Sequence, residues 1–516
     1  MGNQCPRSIS NGMSSDNKNI GSLISELRVE RGLTQKEFAS LLRTSQSAVA
    51  RMERGGQNFT TEMLTKISQV LDKDIIKLAT GTVSFQIDGG KKLHGSVTTN
   101  TSKNGTVALL CASLLNKNTT TLRNIPHIEE VNRLIEVLES IGVLITWNKN
   151  DLVIVPPKKL ALESINRESA AKTRSILMFI GPLIHLFDSF EIPQAGGCKL
   201  GSRTIRPHLY ALENLGVHIE TKTDRYIVSH KKLHENTIIL FESSETAQQV
   251  ALMAAARIPG VTTIKYATSN YMVRDTCYFL QKLGVQVDGI GTSTLTVHGV
   301  KEIDVPVTYC PSEDPIDAML FISLAATTNS EIIIKACPID FLELELLYLE
   351  KMGFKYKILR EYKAKNGYTN LVDIKTLHFK KLVALEEKVH SRPYPGLNAD
   401  NLPFFVPVAT QAEGQTLIHD WMYDNRAIYF TDFTKLGADV ILADPHRLYV
   451  KGPTKFRPAD MVAPPALRPA AIILIGMLAA SGRSYLRNVY SILRGYEDLA
   501  KRLRKLGAGI TVLRGV

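Results

Sequence analysis

One cysteine of this chain sits in the stretch Gln194-Ala195-Gly196-Gly197-Cys198-Lys199-Leu200-Gly201-Ser202-Arg203, among three glycines and two cations. The glycines allow such a loop to open and close. Lys199 and Arg203 favour the thiolate of a group that titrates near neutral pH, so Cys198 can hold or deliver a proton under working conditions. Packing explains poorly a cysteine in a glycine-rich basic loop. Lys103, within Thr101-Ser102-Lys103-Asn104-Gly105, precedes an apolar helix predicted from Val107 to Leu115. A lysine at a helix start opposes the helix macrodipole, and a bound anion relieves the conflict. Asp400 ends the segment Pro393-Tyr394-Pro395-Gly396-Leu397-Asn398-Ala399-Asp400. A carboxylate there can accept a proton from a hydroxyl once desolvation or neighbouring anions raise its pKa. Arg174, Arg203, Arg426 and Arg468 complete the set, the last two within Tyr423-Asp424-Asn425-Arg426 and Pro465-Ala466-Leu467-Arg468. Each alone reads as a surface charge. Were they to converge with Lys103 on one cleft, they would suit a ligand carrying carboxylate and phosphate, because guanidinium forks bind both anions bidentately.

These residues must be positioned by elements, and the sequence has a period. Gly142, Gly216, Gly284, Gly353, Gly437 and Gly507 recur at intervals of roughly 70 residues, which reads as six copies of one unit. In the first copy Leu134, Val137, Leu138 and Ile141 share one helix face. Gly142 then stands where a left-handed residue ends a helix, and Val143 and Ile145 follow at the period of a half-buried strand. The later glycines are followed in the same way by Val217 and Ile219, Val285 and Val287, Phe354 and Tyr356, Ala438 and Val440, and Ala508 and Ile510.

With 516 residues, 44% hydrophobic content and 22% charge, the chain can bury large cores and should form several globular domains. Its six cysteines are scattered, without metal-ligand spacing, which fits reduced thiols in a cytoplasm and argues against a zinc site. No Walker-type motif occurs, and neither a cofactor nor a metal is expected. The N-terminus lacks a signal-peptide core, and the apolar run Pro469 to Ser481 is too short to span a bilayer, so neither membrane insertion nor secretion is expected. A net charge of +12 favours anionic ligands without choosing among them.

Residues 1–18, rich in Ser and Asn, read as a disordered leader. Beyond Ile20, Thr34 and Glu37 form a capping box ahead of Phe38, Leu41 and Leu42, which are expected to make an apolar face. After a turn at Arg43-Thr44, Ser45 caps a second helix whose Val49 and Met52 point inward. This spacing resembles a helix-turn-helix of the phage-repressor type. The resemblance implies a small all-α domain over 19–80 whose second helix enters a major groove, with Thr44, Gln46, Ser47 and Arg51 facing DNA. Single modules of this kind bind two half-sites as dimers, so a homodimer is a linked expectation.

From Val83 onward the motifs quoted above resemble those of UDP-N-acetylglucosamine enolpyruvyl transferases, the 1-carboxyvinyltransferases. The resemblance implies an α/β fold of six βαβ-type repeats in two three-repeat globules around a cleft, an inside-out barrel. One globule would hold 103–312, including the Cys198 loop, and the other 82–102 with 313–516. It further implies transfer of the enolpyruvyl group of phosphoenolpyruvate to the 3'-hydroxyl of UDP-N-acetylglucosamine, with phosphate released, as the first committed step of peptidoglycan precursor synthesis. Cys198 would protonate the methylene carbon, Asp400 would orient or deprotonate the acceptor hydroxyl, and Lys103 would bind phosphate. Asn104, Arg174, Arg203, His208, Met422, Arg426 and Arg468 would bind substrate. The match weakens where Arg206 replaces an acidic residue near the uridine, where Ser243 flanked by Glu242 and Glu245 replaces a lysine, and where Ala466 replaces an acid. Another nucleotide or nucleotide sugar therefore stands as an alternative acceptor. A transcription regulator whose enzyme-like part senses a ligand is the alternative of a different class.

Overall fold

The computed structural model describes residues 20–21, 24–25, 27–29, 31–54, 61–71, 83–196 and 204–514. It divides into a small unit holding the N-terminal helices and a large unit made of 86–486 and 490–511. The leader 1–18, and with it the expectation of disorder there, lies outside the described residues.

In the small unit, Thr34 caps the helix Gln35–Leu41 in a reciprocal capping box with Glu37. Ser45 caps the helix Gln46–Glu53, and Thr61–Leu71 forms a further helix. Arg43 takes a left-handed backbone conformation in the turn between the first two. Ile24, Phe38, Val49, Met52 and Ile67 make the core. Leu41 departs from the expected apolar face: it ends the helix Gln35–Leu41 and is 55% exposed. Glu53 ties the bundle together, accepting from Arg28 Nε at 2.5 Å, Gln35 Nε2 at 2.8 Å and Ser25 Oγ at 3.2 Å.

The large unit repeats a strand, a helix, a glycine and a strand hairpin. The six glycines read from the sequence all have positive φ, between 87° and 99°. In the first copy, the helix Glu129–Ser140 buries Val131, Leu134, Val137 and Leu138, and after Gly142 the strands Leu144–Asn148 and Asp151–Val155 pair antiparallel. Each half is built around helices buried on most faces, as helices interior to a domain must be. These are Lys103–Ala112 and Glu245–Ala255 in one half, Pro315–Thr328 and Leu467–Ala479 in the other.

Within the large unit the chain starts in the second half, enters the first and returns. Ser96–Thr98 lies parallel to Ile333–Lys335 in the second half, whereas Val307–Tyr309 lies parallel to Thr120–Leu122 in the first. The chain therefore crosses between halves twice, along Thr99–Ser102 and Cys310–Asp314. The two crossings run side by side, with Ser102 N donating to Ser312 O at 2.8 Å and Asp314 N to Asn100 O at 2.8 Å. Asp275 braces them: it accepts from Tyr309 Oη at 2.7 Å, Ser312 N at 2.9 Å and Ser312 Oγ at 2.7 Å.

Candidate active site

Each crossing ends by starting a helix, and the candidate site is built on those starts. Ser102 caps the helix Lys103–Ala112, its Oγ accepting from Gly105 N at 2.9 Å, which puts Lys103 and Asn104 in the first turn. Asp314 caps Pro315–Thr328 by accepting from Ile316 N at 2.9 Å. A small cavity beside the two crossings is lined by Asn100, Thr101, Lys103, Asp314 and Tyr496.

Lys103 Nζ lies 2.9 Å from Glu130 Oε2, with both side chains largely buried. Burial raises the Glu130 carboxyl, yet the charges of Lys103 and Arg494 bring it below the usual range, so it is ionised. Asn104 Nδ2 is 3.4 Å from the Tyr271 hydroxyl. Burial pushes Asp314 up to about 6, with Arg468 and Lys103 opposing the rise and Asp317 adding to it. Asp317 itself is held bidentately by Arg502, at 2.7 and 2.6 Å.

Asp400 is held from two sides. Arg468 Nη2 is 3.4 Å from its Oδ2, and Arg426 Nη1 is 3.7 Å from its Oδ1. Neither arginine depends on Asp400 for its place. Arg426, fully buried, forks onto Asp420 at 2.5 and 2.8 Å and donates to Ala399 O at 2.7 Å. Arg468 donates to Tyr496 Oη at 2.7 Å. Both arginines therefore present a fixed guanidinium edge near Asp400, a geometry suited to a planar or tetrahedral anion. Tyr271, 3.4 Å from Asn104 Nδ2, is also within electrostatic reach of Asp314, Asp400 and Arg468.

A second cluster borders it. His208 is 3% exposed, and its Nε2 is 2.9 Å from Thr246 Oγ1 at the start of Glu245–Ala255. Burial and the Arg174 charge push it down to about 4, leaving a neutral imidazole. Arg174 Nη2 donates to Thr204 O at 2.9 Å. In the same first turn Glu245 accepts from Asn270 Nδ2 at 3.1 Å; burial raises its carboxyl, with Asp400 and Glu242 adding to the rise. Arg206, exposed, begins the helix Arg206–Glu213.

Asp400 is thus grouped with Arg426 and Arg468, Asn104 adjoins Tyr271, and Lys103 pairs with Glu130, with His208 and Arg174 clustered beside the helix start that holds Glu245. Met422 is half-buried in the bend between Asp420 and Arg426. Cys198, Lys199 and Arg203 lie outside the described residues. Cys111, Cys277, Cys310 and Cys337 are buried, and burial pushes Cys277 and Cys310 up to about 12, which makes them inert. Thr44, Gln46, Ser47 and Arg51 are all exposed in the small unit.

Sequence reasoning missed Arg494, Tyr271 and Tyr496. The Nε of Arg494 is buried without a hydrogen-bond partner among the described residues. None of the three belongs to a periodic or glycine-rich pattern, so only their placement marks them. Among the described residues, no group of three or more His, Cys, Asp or Glu is placed to hold a metal ion, and no helix is long and apolar enough to cross a membrane.

Comparison with known proteins agrees with this architecture. The family pattern described as EPSP synthase (3-phosphoshikimate 1-carboxyvinyltransferase) matches residues 87–503, and a helix-turn-helix pattern matches 24–78. The UDP-N-acetylglucosamine 1-carboxyvinyltransferase of Bradyrhizobium diazoefficiens is 30% identical over 430 residues, covering 83% of this chain and 97% of that protein. Its namesake in Borreliella burgdorferi is 32% identical over 430 residues, covering 83% and 98%. Among solved structures, the enolpyruvyl transferase NikO from Streptomyces tendae superposes with a TM-score of 0.71 at 22% identity, covering 84% of this chain and 99% of that one. EPSP synthase from Acinetobacter baumannii superposes with a TM-score of 0.66 at 18% identity, covering 84% and 100%. With its paired crossings, six capped repeats and this extent of likeness, the chain belongs to the EPSP synthase family of enolpyruvyl transferases and carries a helix-turn-helix domain at its N-terminus.

Proposed function

We propose that this chain transfers the enolpyruvyl group of phosphoenolpyruvate to the 3'-hydroxyl of UDP-N-acetylglucosamine and releases phosphate, the first committed step of peptidoglycan precursor synthesis in the cytoplasm. The observation that carries the reading is Asp400 held between two independently anchored arginines, Arg426 and Arg468. The relatives named for this reaction support the choice of acceptor.

In this reading the acceptor hydroxyl, oriented or deprotonated by Asp400, attacks the second carbon of phosphoenolpyruvate. Cys198 gives its proton to the third carbon, and a tetrahedral ketal forms. Phosphate then leaves as the third carbon returns a proton to the Cys198 thiolate and the double bond re-forms, the developing charge on phosphate stabilised by Lys103, Arg203 and Arg468. Asn104, Arg174, His208, Met422 and Arg426 bind the substrates, and neither a metal nor a cofactor takes part. The working division is 103–312 as one catalytic domain and 82–102 with 313–516 as the other. Residues 19–80 bind DNA through Thr44, Gln46, Ser47 and Arg51, as a homodimer on paired half-sites.

A second acceptor reading is favoured by one feature. Arg206, and Glu242 and Glu245 at the start of Glu245–Ala255, alter the charge where the resemblance places the nucleotide. Another nucleotide or nucleotide sugar then takes the place of UDP-N-acetylglucosamine. Phosphate release from phosphoenolpyruvate, measured with UDP-N-acetylglucosamine, UMP and other UDP-sugars, decides between them. Release with UDP-N-acetylglucosamine supports the leading reading, and release with a different acceptor the second. No release with any acceptor leaves a ligand-sensing regulator in first place.

A further inference from the structure

Glu130 stands where two cations meet. It lies in the first turn of the helix Glu129–Ser140, its Oε2 at 2.9 Å from Lys103 Nζ and its Oε1 at 3.5 Å from Thr173 Oγ1. Arg494 comes from the other half, near enough for its charge to act on the same carboxylate, and its buried Nε has no hydrogen-bond partner among the described residues. The neighbouring Glu129 is turned to Arg133 instead, at 2.7 Å. Two partly buried cations converging on one point repel each other unless an anion sits between them. An anion that stays in place also opposes a second one arriving beside it.

We propose that Glu130 is a positioning residue: it holds Lys103 and Arg494 as a two-cation clamp for the phosphate group and, by its own negative charge, keeps that clamp from retaining phosphate after transfer. This rests on the reading that Lys103 takes the phosphate of phosphoenolpyruvate. Affinity for the ground-state anion and speed of turnover are set against each other at this carboxylate, since tighter binding of product does nothing for the transition state.

The test compares the full chain with its Glu130→Gln and Glu130→Asp variants, using inorganic phosphate as probe in calorimetry without acceptor, together with steady-state turnover. Glu130→Gln should bind phosphate about tenfold more tightly while kcat falls about tenfold and KM for phosphoenolpyruvate does not rise. Glu130→Asp, which keeps the charge, should lie between the two and serves if Glu130→Gln fails to fold. A purely structural role would raise KM, lower Tm and leave phosphate affinity unchanged or weaker, and that result overturns the proposal. Absence of phosphate binding in both wild type and variant overturns it as well. Tighter phosphate binding in Glu130→Gln, with no turnover of any acceptor by the wild type, would sink the assigned reaction and leave the clamp standing. Turnover by the wild type with unchanged phosphate affinity in the variant would do the reverse.

Discussion

Asp400 meets Arg468 and Arg426 at 3.4 and 3.7 Å, and both arginines are anchored elsewhere, on Tyr496 and Asp420. Removing its charge should therefore spare the fold and remove the chemistry. Asp400→Asn is expected to lower kcat by about a hundredfold or more with Tm nearly unchanged, checked by steady-state kinetics beside thermal melting. Asp275 behaves in the opposite sense, as a residue of stability. Burial pushes its carboxyl from 3.8 up to about 6, although Ser312 and Tyr309 hydrogen bonds oppose the rise. A folded-state pKa above the unfolded one means the native protein holds the proton more tightly, so this contribution is complete below about pH 4 and lost as pH rises through about 6. Asp275→Asn carries no such charge. Its stability relative to wild type should improve by about 3 kcal/mol between pH 4 and pH 7, read from denaturant unfolding at each pH. A constant difference across that range would refute the assignment.

At the scale of the element, the recurring glycine is the test case. Gly284 has φ of 90°, and a methyl group added there would meet nothing within 4 Å. Gly284→Ala thus isolates backbone strain from packing and should cost about 1 to 2 kcal/mol in urea unfolding. In the N-terminal module the helix starts were legible because capping is a local matter: Thr34 with Glu37, and Ser45, are close in sequence to the backbone groups they satisfy. Glu53 was not legible, since Arg28, Gln35 and Ser25 reach it only once the helices are packed. Glu53→Ala leaves Arg28 without its carboxylate in a largely buried place. It should destabilise the module by about 3 kcal/mol, seen as lost amide-exchange protection over residues 35–53 with protection in 103–112 retained.

The whole molecule joins a helix-turn-helix module and an enolpyruvyl transferase module on one chain, and the proposed division of labour is testable as separability. Arg51 is exposed on the helix Gln46–Glu53, away from the module's core of Phe38, Val49 and Met52. Arg51→Ala should weaken binding to an operator fragment by about tenfold or more while kcat/KM for enolpyruvyl transfer stays at the wild-type value. Equal DNA affinity in the variant would remove the second helix as the reading surface. At this scale too the crossings matter, because Thr99–Ser102 and Cys310–Asp314, lying side by side, set the starts of Lys103–Ala112 and Pro315–Thr328 next to each other.

The period of the glycines, the helix caps and the glycine-rich Cys198 loop are properties of neighbouring residues, and the sequence by itself determined them: six capped units, a helix-turn-helix, and a family resemblance that named Lys103, Asp400, Arg426 and Arg468 together. Tertiary structure alone decided which charges meet. Glu130 lies between Lys103 and Arg494, Asp420 holds Arg426 in its fully buried place, and Glu245 comes within reach of the Asp400 charge. The physical reason is separation along the chain. Ion pairing and desolvation act over a few ångströms of space, and residues as far apart in sequence as Lys103 and Arg494 act on one carboxylate only after the chain has crossed between its halves and buried their helices.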